Sequence, residues 1–160
     1  MKTLYLTRHA ESLPIIKTTD FDRPLSEKGH QEARAMAKYL LDQKAAIEQF
    51  ITSPAKRALT TCRYFAETYN HSEIQKKENL YEPLTEDFDR LILRLDDQWR
   101  SVALFSHNPS LSDYASLLIG SPLHLPPCGI AIIEIDTEEW SLLHAAPKRL
   151  KQFLTPENFQ

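Results

Sequence analysis

At 160 residues the chain can bury the core of one domain and is too short for two comfortable ones, so a single domain over 1–160 is expected. Its 42% hydrophobic and 26% charged residues suit a soluble globular protein, and a net charge of −3 gives no general attraction to nucleic acid or to an anionic membrane. Any anion site must be local.

The first element in chain order is "KTLYLT" (2–7), short and apolar enough for a buried strand. Arg8, His9 and Glu11 cut this run before a secretion signal can form, and no later stretch is long and apolar enough to span a bilayer. "SEKGHQEARAMAKYLLDQ" (26–43) sets Ala33, Met36, Ala37, Leu40 and Leu41 at helical spacing behind Ser26, a good N-cap. "QFITS" (49–53) predicts a second strand, and "SPAKRALTTCRYFAETYN" a second helix with Ser53 as cap and Pro54 in its first turn. A weak polar strand in "EIQKKENL" and a third helix within "YEPLTEDFDRLILRLDDQWR" follow. "SVALFS" (101–106) is the next buried strand, and "HNPSLSDYASLLIG" turns from it into a helix with Asn108 as cap, Pro109 in its first turn and Gly120 as its stop. "GIAIIEID" and "EWSLLHAA" are expected to form a hairpin, while the basic tail from Pro147 carries no clear signal.

Strands alternating with amphipathic helices predict an α/β fold: a three-layer α/β/α sandwich with a mostly parallel central sheet and an antiparallel strand near its C-terminal edge. Cys62 and Cys128 stand far apart and outside any CxxC pattern, which reads as two reduced packing thiols of a cytoplasmic protein. Only Gly29, Gly120 and Gly129 occur, none within GxGxxG or GxxxxGK, so a glycine loop wrapped around a nucleotide is excluded.

Parallel strands gather their carboxyl ends on one rim, where ligands bind. Three apolar strands here run into polar chemistry: Arg8 and His9 after the first, Ser53 to Arg57 after the second, His107 and Asn108 after "SVALFS". If these ends converge, two guanidiniums, two imidazoles and two helix N-termini face one point, a setting suited to a phosphoryl group. No carboxylate cluster accompanies them, apart from the question that Asp20 and Asp22 raise in "DFDRP", so neither a metal nor a cofactor is expected. Two histidines imply chemistry beyond binding: neutral His9 attacks phosphorus, with Arg8 disfavouring its protonation. His107, the more cationic ring, joins Arg8 and Arg57 in stabilising the transferring group.

"TRHAES", "SPAKRALTT" and "SHNPSL" together resemble the histidine phosphatase (phosphoglycerate-mutase-like) superfamily. The short length, "DRPLSEKG" and "HNP" make the chain most similar to SixA-type phosphohistidine phosphatases, with the likeness running from Thr3 to about Ile135. The resemblance implies His9 as nucleophile and Arg8, Arg57 and His107 as the phosphate pocket; Asn108 and Arg23 join the expected substrate-binding set, Arg23 either at the rim or paired with Asp20. Ala10 stands where the family usually has glycine. Larger relatives carry a glutamate as general acid, for which Glu82 in "LYEPL" is the candidate here. Fifty positions separate Arg57 from His107, too few for a large cap, so the pocket suits a phosphorylated side chain on a protein surface.

These residues point to a metal-independent phosphatase working through a phosphohistidine, acting on phosphohistidine of a signalling or phosphocarrier protein. The alternatives are a small-molecule phosphomonoesterase or mutase and a non-catalytic phosphate-binding module. A cytoplasmic monomer is expected, with neither nucleic acid nor membrane as partner.

Overall fold

In the computed structural model, which describes residues 1–159, one sheet is built from β1 (Lys2–Arg8), β2 (Gln49–Thr52), β3 (Gln75–Lys76), β4 (Ser101–Ser106), β5 (Ile130–Ile135) and β6 (Lys148–Leu154). The strand order is β3-β2-β4-β1-β5-β6. β3, β2, β4 and β1 pair in parallel, while β5 runs antiparallel to both β1 and β6.

The central strands are apolar on both faces because helices cover both. On β1, Leu4 and Leu6 enter one core and Tyr5 the other, as the two-residue side-chain period requires. α1 (Glu27–Asp42) and α2 (Lys56–Thr68) close the second of these cores with Ala33, Met36, Leu40, Cys62 and Phe65. α3 (Thr85–Ile92) and α4 (Ser110–Ile119) close the first with Phe88, Ile92, Leu111, Tyr114 and Leu118. The three layers and the antiparallel strand next to the C-terminal edge agree with the sequence reading.

Local chemistry sets most boundaries. Ser26 caps α1, its Oγ accepting from Gly29 N–H at 3.0 Å, and Gly120 ends α4 in the left-handed conformation. α2 starts at Lys56 and α4 at Ser110, each later than expected, because a bend at Pro54 and Ala55 and a turn at Asn108 and Pro109 come between each strand end and its helix. The polar strand contracts to Gln75–Lys76 before a 3-10 turn at Glu78–Leu80.

The expected hairpin pairs differently. Residues 139–146 form no strand; Trp140–Leu142 is a 3-10 turn whose buried Trp140 donates its indole N–H to Trp99 O at 2.9 Å. The partner of β5 is β6, inside the tail that carried no signal. A register shift opposite Ile132 and Ile133 leaves Lys151 unpaired, which breaks the alternation that announces a strand. Lys148, Arg149 and Lys151 place charge along this edge, a common guard against further strand pairing.

Gly29 shows how closely α1 sits against the loop leaving β1. A methyl group there would lie 2.1 Å from Glu11 O, an impossible contact with backbone. Gly29→Ala should therefore cost about 2 kcal/mol and lower the melting midpoint by about 5 °C. A thermal melt with an unmoved midpoint would show that the loop yields freely.

Candidate active site

The carboxyl ends of β1, β2 and β4 share a rim: Arg8 lies opposite Ser106, and Thr52 opposite Phe105. The next residue on each strand is therefore His9, Ser53 or His107. All three are buried, as is Arg57 at 5% exposure, so the polar groups named from the sequence form part of the interior wall. The His9 and His107 ring centroids stand 5.2 Å apart.

His9 is fixed by its neighbours. Its Nδ1 lies 2.7 Å from Ala10 O; a carbonyl only accepts, so Nδ1 carries the proton and Nε2 keeps its lone pair. Ala10 is held in turn: its N–H donates to Thr61 Oγ1 at 3.0 Å, and Thr61 donates to Arg57 O at 2.8 Å. This chain ties the end of β1 to the first turns of α2. His107 Nε2 lies 2.8 Å from Ser53 Oγ, which also accepts from Ala55 N–H. Ser53 Oγ has a proton to give and a lone pair to spare, so either tautomer fits; we assign Ser53 as the donor, which puts the His107 ring proton on Nδ1, a buried atom without a protein partner among the described residues.

The two arginines share a pattern. Arg8 Nη1 donates to Leu125 O at 3.1 Å, and Arg57 donates from Nη1 to Asp20 O at 2.8 Å and from Nη2 to Asp20 Oδ2 at 3.2 Å. In both, Nε is buried and unpartnered. Arg8 Nε and His107 Nδ1 at two strand ends and Arg57 Nε in the first turn of α2 are thus three buried donors, each lacking an acceptor among the described residues, a costly state unless a ligand supplies one.

Burial pushes His9 down to about 4, with Arg57, Arg8 and Arg23 adding to the effect against the Ala10 hydrogen bond. Burial also pushes His107 down to about 3, followed by the influence of His9 and Arg57. The expectation that His107 is the more cationic ring therefore fails for the free site, where both rings are neutral at pH 7. Among the described residues no carboxylate is hydrogen-bonded to the His107 ring, and Asp20 is engaged by the arginines. Both folded values lie below the ordinary 6.5, so the unfolded chain binds more protons as pH falls from about 6.5 to 4. Stability is full above that window and is lost on acidification through it, on the order of 2 kcal/mol for one such ring. Urea melts from pH 7 to 4.5 should show this loss, and imidazole NMR signals of His9 and His107 should stay neutral down to pH 5. Titration of either ring near 6.5 would contradict this account.

Arg23 resolves as a partner of Asp20, with Nε and Nη2 each 3.0 Å from Oδ1. Its Nη1 reaches Ser12 Oγ and Leu13 O. Asp20 is thereby surrounded by cations, and Asp22 accepts from Thr19 Oγ1, so the two carboxylates do not converge as a cation site. Asn108 lines the cavity, yet its side chain is committed elsewhere: Nδ2 donates to Leu125 O at 2.8 Å, and Oδ1 accepts from Ser112 N–H and O–H. Glu82 is exposed and borders the same cavity, of about 290 Å³, with Arg57, Tyr81, Pro83 and His107. Its φ of 52° lies in the left-handed region, unusual for a side chain of this kind.

Sequence reasoning missed Tyr81 and the hub at Asp20. Tyr81 donates to Asp20 Oδ2 at 2.7 Å and sets its ring edge-on to His107. Its position beside Glu82 in "LYEPL" was the available signal. A larger groove of about 560 Å³ at the opposite rim, lined by Tyr5, Lys44 and Arg100 among others, contains no histidine.

The model of the histidine phosphatase superfamily (branch 1) matches residues 4–92, more than half of the chain and the span carrying Arg8, His9 and Arg57. The chain belongs to the histidine phosphatase superfamily. Membership makes it a phosphatase, a hydrolase of phosphoryl compounds. This histidine phosphatase has the fold of the protein histidine phosphatase SixA solved with tungstate, with a TM-score of 0.86, 23% identity and 99% of each chain covered. The SixA assigned as a phosphohistidine phosphatase in Agrobacterium tumefaciens is 26% identical, with a TM-score of 0.84 over 97% of this chain and 98% of that one. The uncharacterized protein ML1117 of Mycobacterium leprae (strain TN) is 28% identical over 151 residues, covering 86% of this chain and 89% of that protein. A phosphoserine phosphatase mutant from Entamoeba histolytica shares the fold at a TM-score of 0.74 and 16% identity, with 100% of each chain covered.

Proposed function

We propose that this histidine phosphatase removes the phosphoryl group from phosphohistidine on a protein, through a phosphorylated His9 and without a metal ion. The observation that carries this reading is the set of three unpartnered buried donors, Arg8 Nε, Arg57 Nε and His107 Nδ1, around a histidine whose Nε2 lone pair is free. The phosphoryl oxygens are the acceptors those donors lack.

In the first step the Nε2 lone pair of His9 forms a bond to phosphorus as the substrate's phosphorus–nitrogen bond breaks. The departing imidazole takes its proton from solvent. In the second step water attacks the same phosphorus, the His9 bond breaks, and inorganic phosphate leaves with the proton balance going to solvent. Imidazole, with a pKa near neutrality, is a good leaving group and needs little help from an acid, whereas an alkoxide does. Exposed Glu82, which makes no hydrogen bond to either histidine, suits the first case.

A protein substrate agrees with the surface. Leu13, Ile15 and Ile16 on the segment between β1 and α1, and Leu84 beside the cavity-lining Pro83, are exposed large apolar side chains of the kind a protein partner covers. The SixA neighbours support the same class of substrate. Among the described residues no helix is long and apolar enough to cross a membrane.

The test is phosphate release from a phosphohistidine protein, from phosphoserine and phosphotyrosine peptides and from sugar phosphates. The phosphohistidine protein should be the best substrate, and Glu82→Gln should change its turnover by less than about threefold. Fast turnover of sugar phosphates that collapses about 100-fold in Glu82→Gln would favour the phosphomonoesterase, since general acid catalysis has that magnitude. Tight binding of the phosphoprotein without phosphate release would reduce the protein to a binding module.

A further inference from the structure

Asp20 joins three walls of the site. Its Oδ2 accepts from Arg57 Nη2 at 3.2 Å and from Tyr81 O–H at 2.7 Å, while Oδ1 faces Arg23 Nε and Nη2. Its backbone carbonyl separately holds Arg57 Nη1 at 2.8 Å. The Nη side of Arg57 is thus occupied by Asp20, and Nε–H is left as the buried donor still to be satisfied.

Charge counting around the pocket gives Asp20 a second task. Among the groups packed on the two rings, Arg8, Arg23 and Arg57 bring three positive charges, Asp20 removes one, and the imidazoles are neutral; Glu82 stands exposed at the outer rim, in no ion pair with these arginines. The remaining two positive charges equal in size the charge of the hydrogenphosphate dianion. With a third uncompensated cation, the product would be held more strongly than turnover needs.

We infer that Asp20 controls the release of phosphate: it positions Arg57 by its outer edge and opposes the bound anion with its own charge. This inference rests on the phosphate-pocket reading proposed above and adds a residue that governs how long the product stays. Asp20 is a positioning residue here, since it acts through Arg57 and through the field it imposes.

Asp20→Asn separates charge from position, because the backbone carbonyl contact to Arg57 Nη1 survives the change. The side chain is 38% exposed, so the substitution leaves no buried gap. Calorimetric titration with inorganic phosphate should show Asp20→Asn binding about tenfold more tightly than wild type. The gain should shrink as salt is added. In turnover, KM and kcat should both fall, as expected when product is held too long. Asp20→Glu, which keeps the charge, should stay within about threefold of wild type. A purely structural Asp20 predicts the opposite sign: a loosened Arg57, weaker phosphate binding and a raised KM. Equal or weaker phosphate binding by Asp20→Asn, beside wild-type protein that binds it, would overturn the inference and leave the pocket reading intact. Wild-type protein that takes up no phosphate would overturn the pocket and the inference together.

Discussion

Replacing His9 with alanine is expected to lower kcat by at least about 10⁴-fold, the scale on which nucleophile removal acts in enzymes with covalent intermediates. The effect follows from the ring's setting. Nδ1 is committed to Ala10 O, burial and three guanidiniums keep the ring neutral, and Nε2 is the atom left to react. Rapid quench of the wild-type protein with labelled substrate should trap acid-labile, alkali-stable phosphate on one peptide, the one containing His9. NMR of that species should show phosphorus on Nε2, with Nδ1 still protonated. Label on His107 instead, or full turnover by His9→Ala, would exclude the mechanism. Loss of the fold would not explain the result, because His9 contributes one local hydrogen bond and no part of either apolar core.

Arg57→Ala should cost about 10³-fold in kcat/KM, the lower end of what arginines supply to phosphoryl transfer. The side chain is 5% exposed, carries an unpartnered Nε–H and is gripped at its other end by Asp20. Both the donor and its orientation vanish with the substitution. Arg57→Lys restores charge without the planar set of donors and should recover no more than about tenfold. If lysine restores full activity, the site needs only a positive charge there and the role given to Nε–H is wrong. Thermal melts of both variants serve as the control for folding, since Arg57 also pairs with Asp20.

The parts of the site that could be read in the sequence are those encoded locally. Arg8 and His9 follow an apolar run, and His107 follows another, so a strand ending in charge was visible before any pairing was known. The fold followed from the same runs, since a strand apolar on both faces demands helices on both sides. From the sequence Asp20 reads as a question about metal and as the alternative partner of Arg23, but not as a hub, because its partners Arg57 and Tyr81 lie 37 and 61 positions away and no local pattern records them. The charge of His107 was misjudged for a related reason: residue type gives an ordinary imidazole, and only the packed site gives its burial. β6 escaped because its bulge at Lys151 and its charged edge hide the alternation by which strands are found.

The pairing of β1 with β4, Arg8 opposite Ser106, fixes the spacing of the two histidines through a backbone ladder, whatever the chain does in between. The connection from α2 to α3 runs past Tyr81, Glu82 and Pro83 on the cavity wall without contributing a strand to that ladder. Doubling the length of a surface loop costs only about 0.6 kcal/mol in closure entropy. A roof grafted at this point would narrow the range of molecules admitted while the reacting atoms kept their places. Selectivity and reactivity are thus inherited from separate stretches of the gene, and either can be rewritten alone.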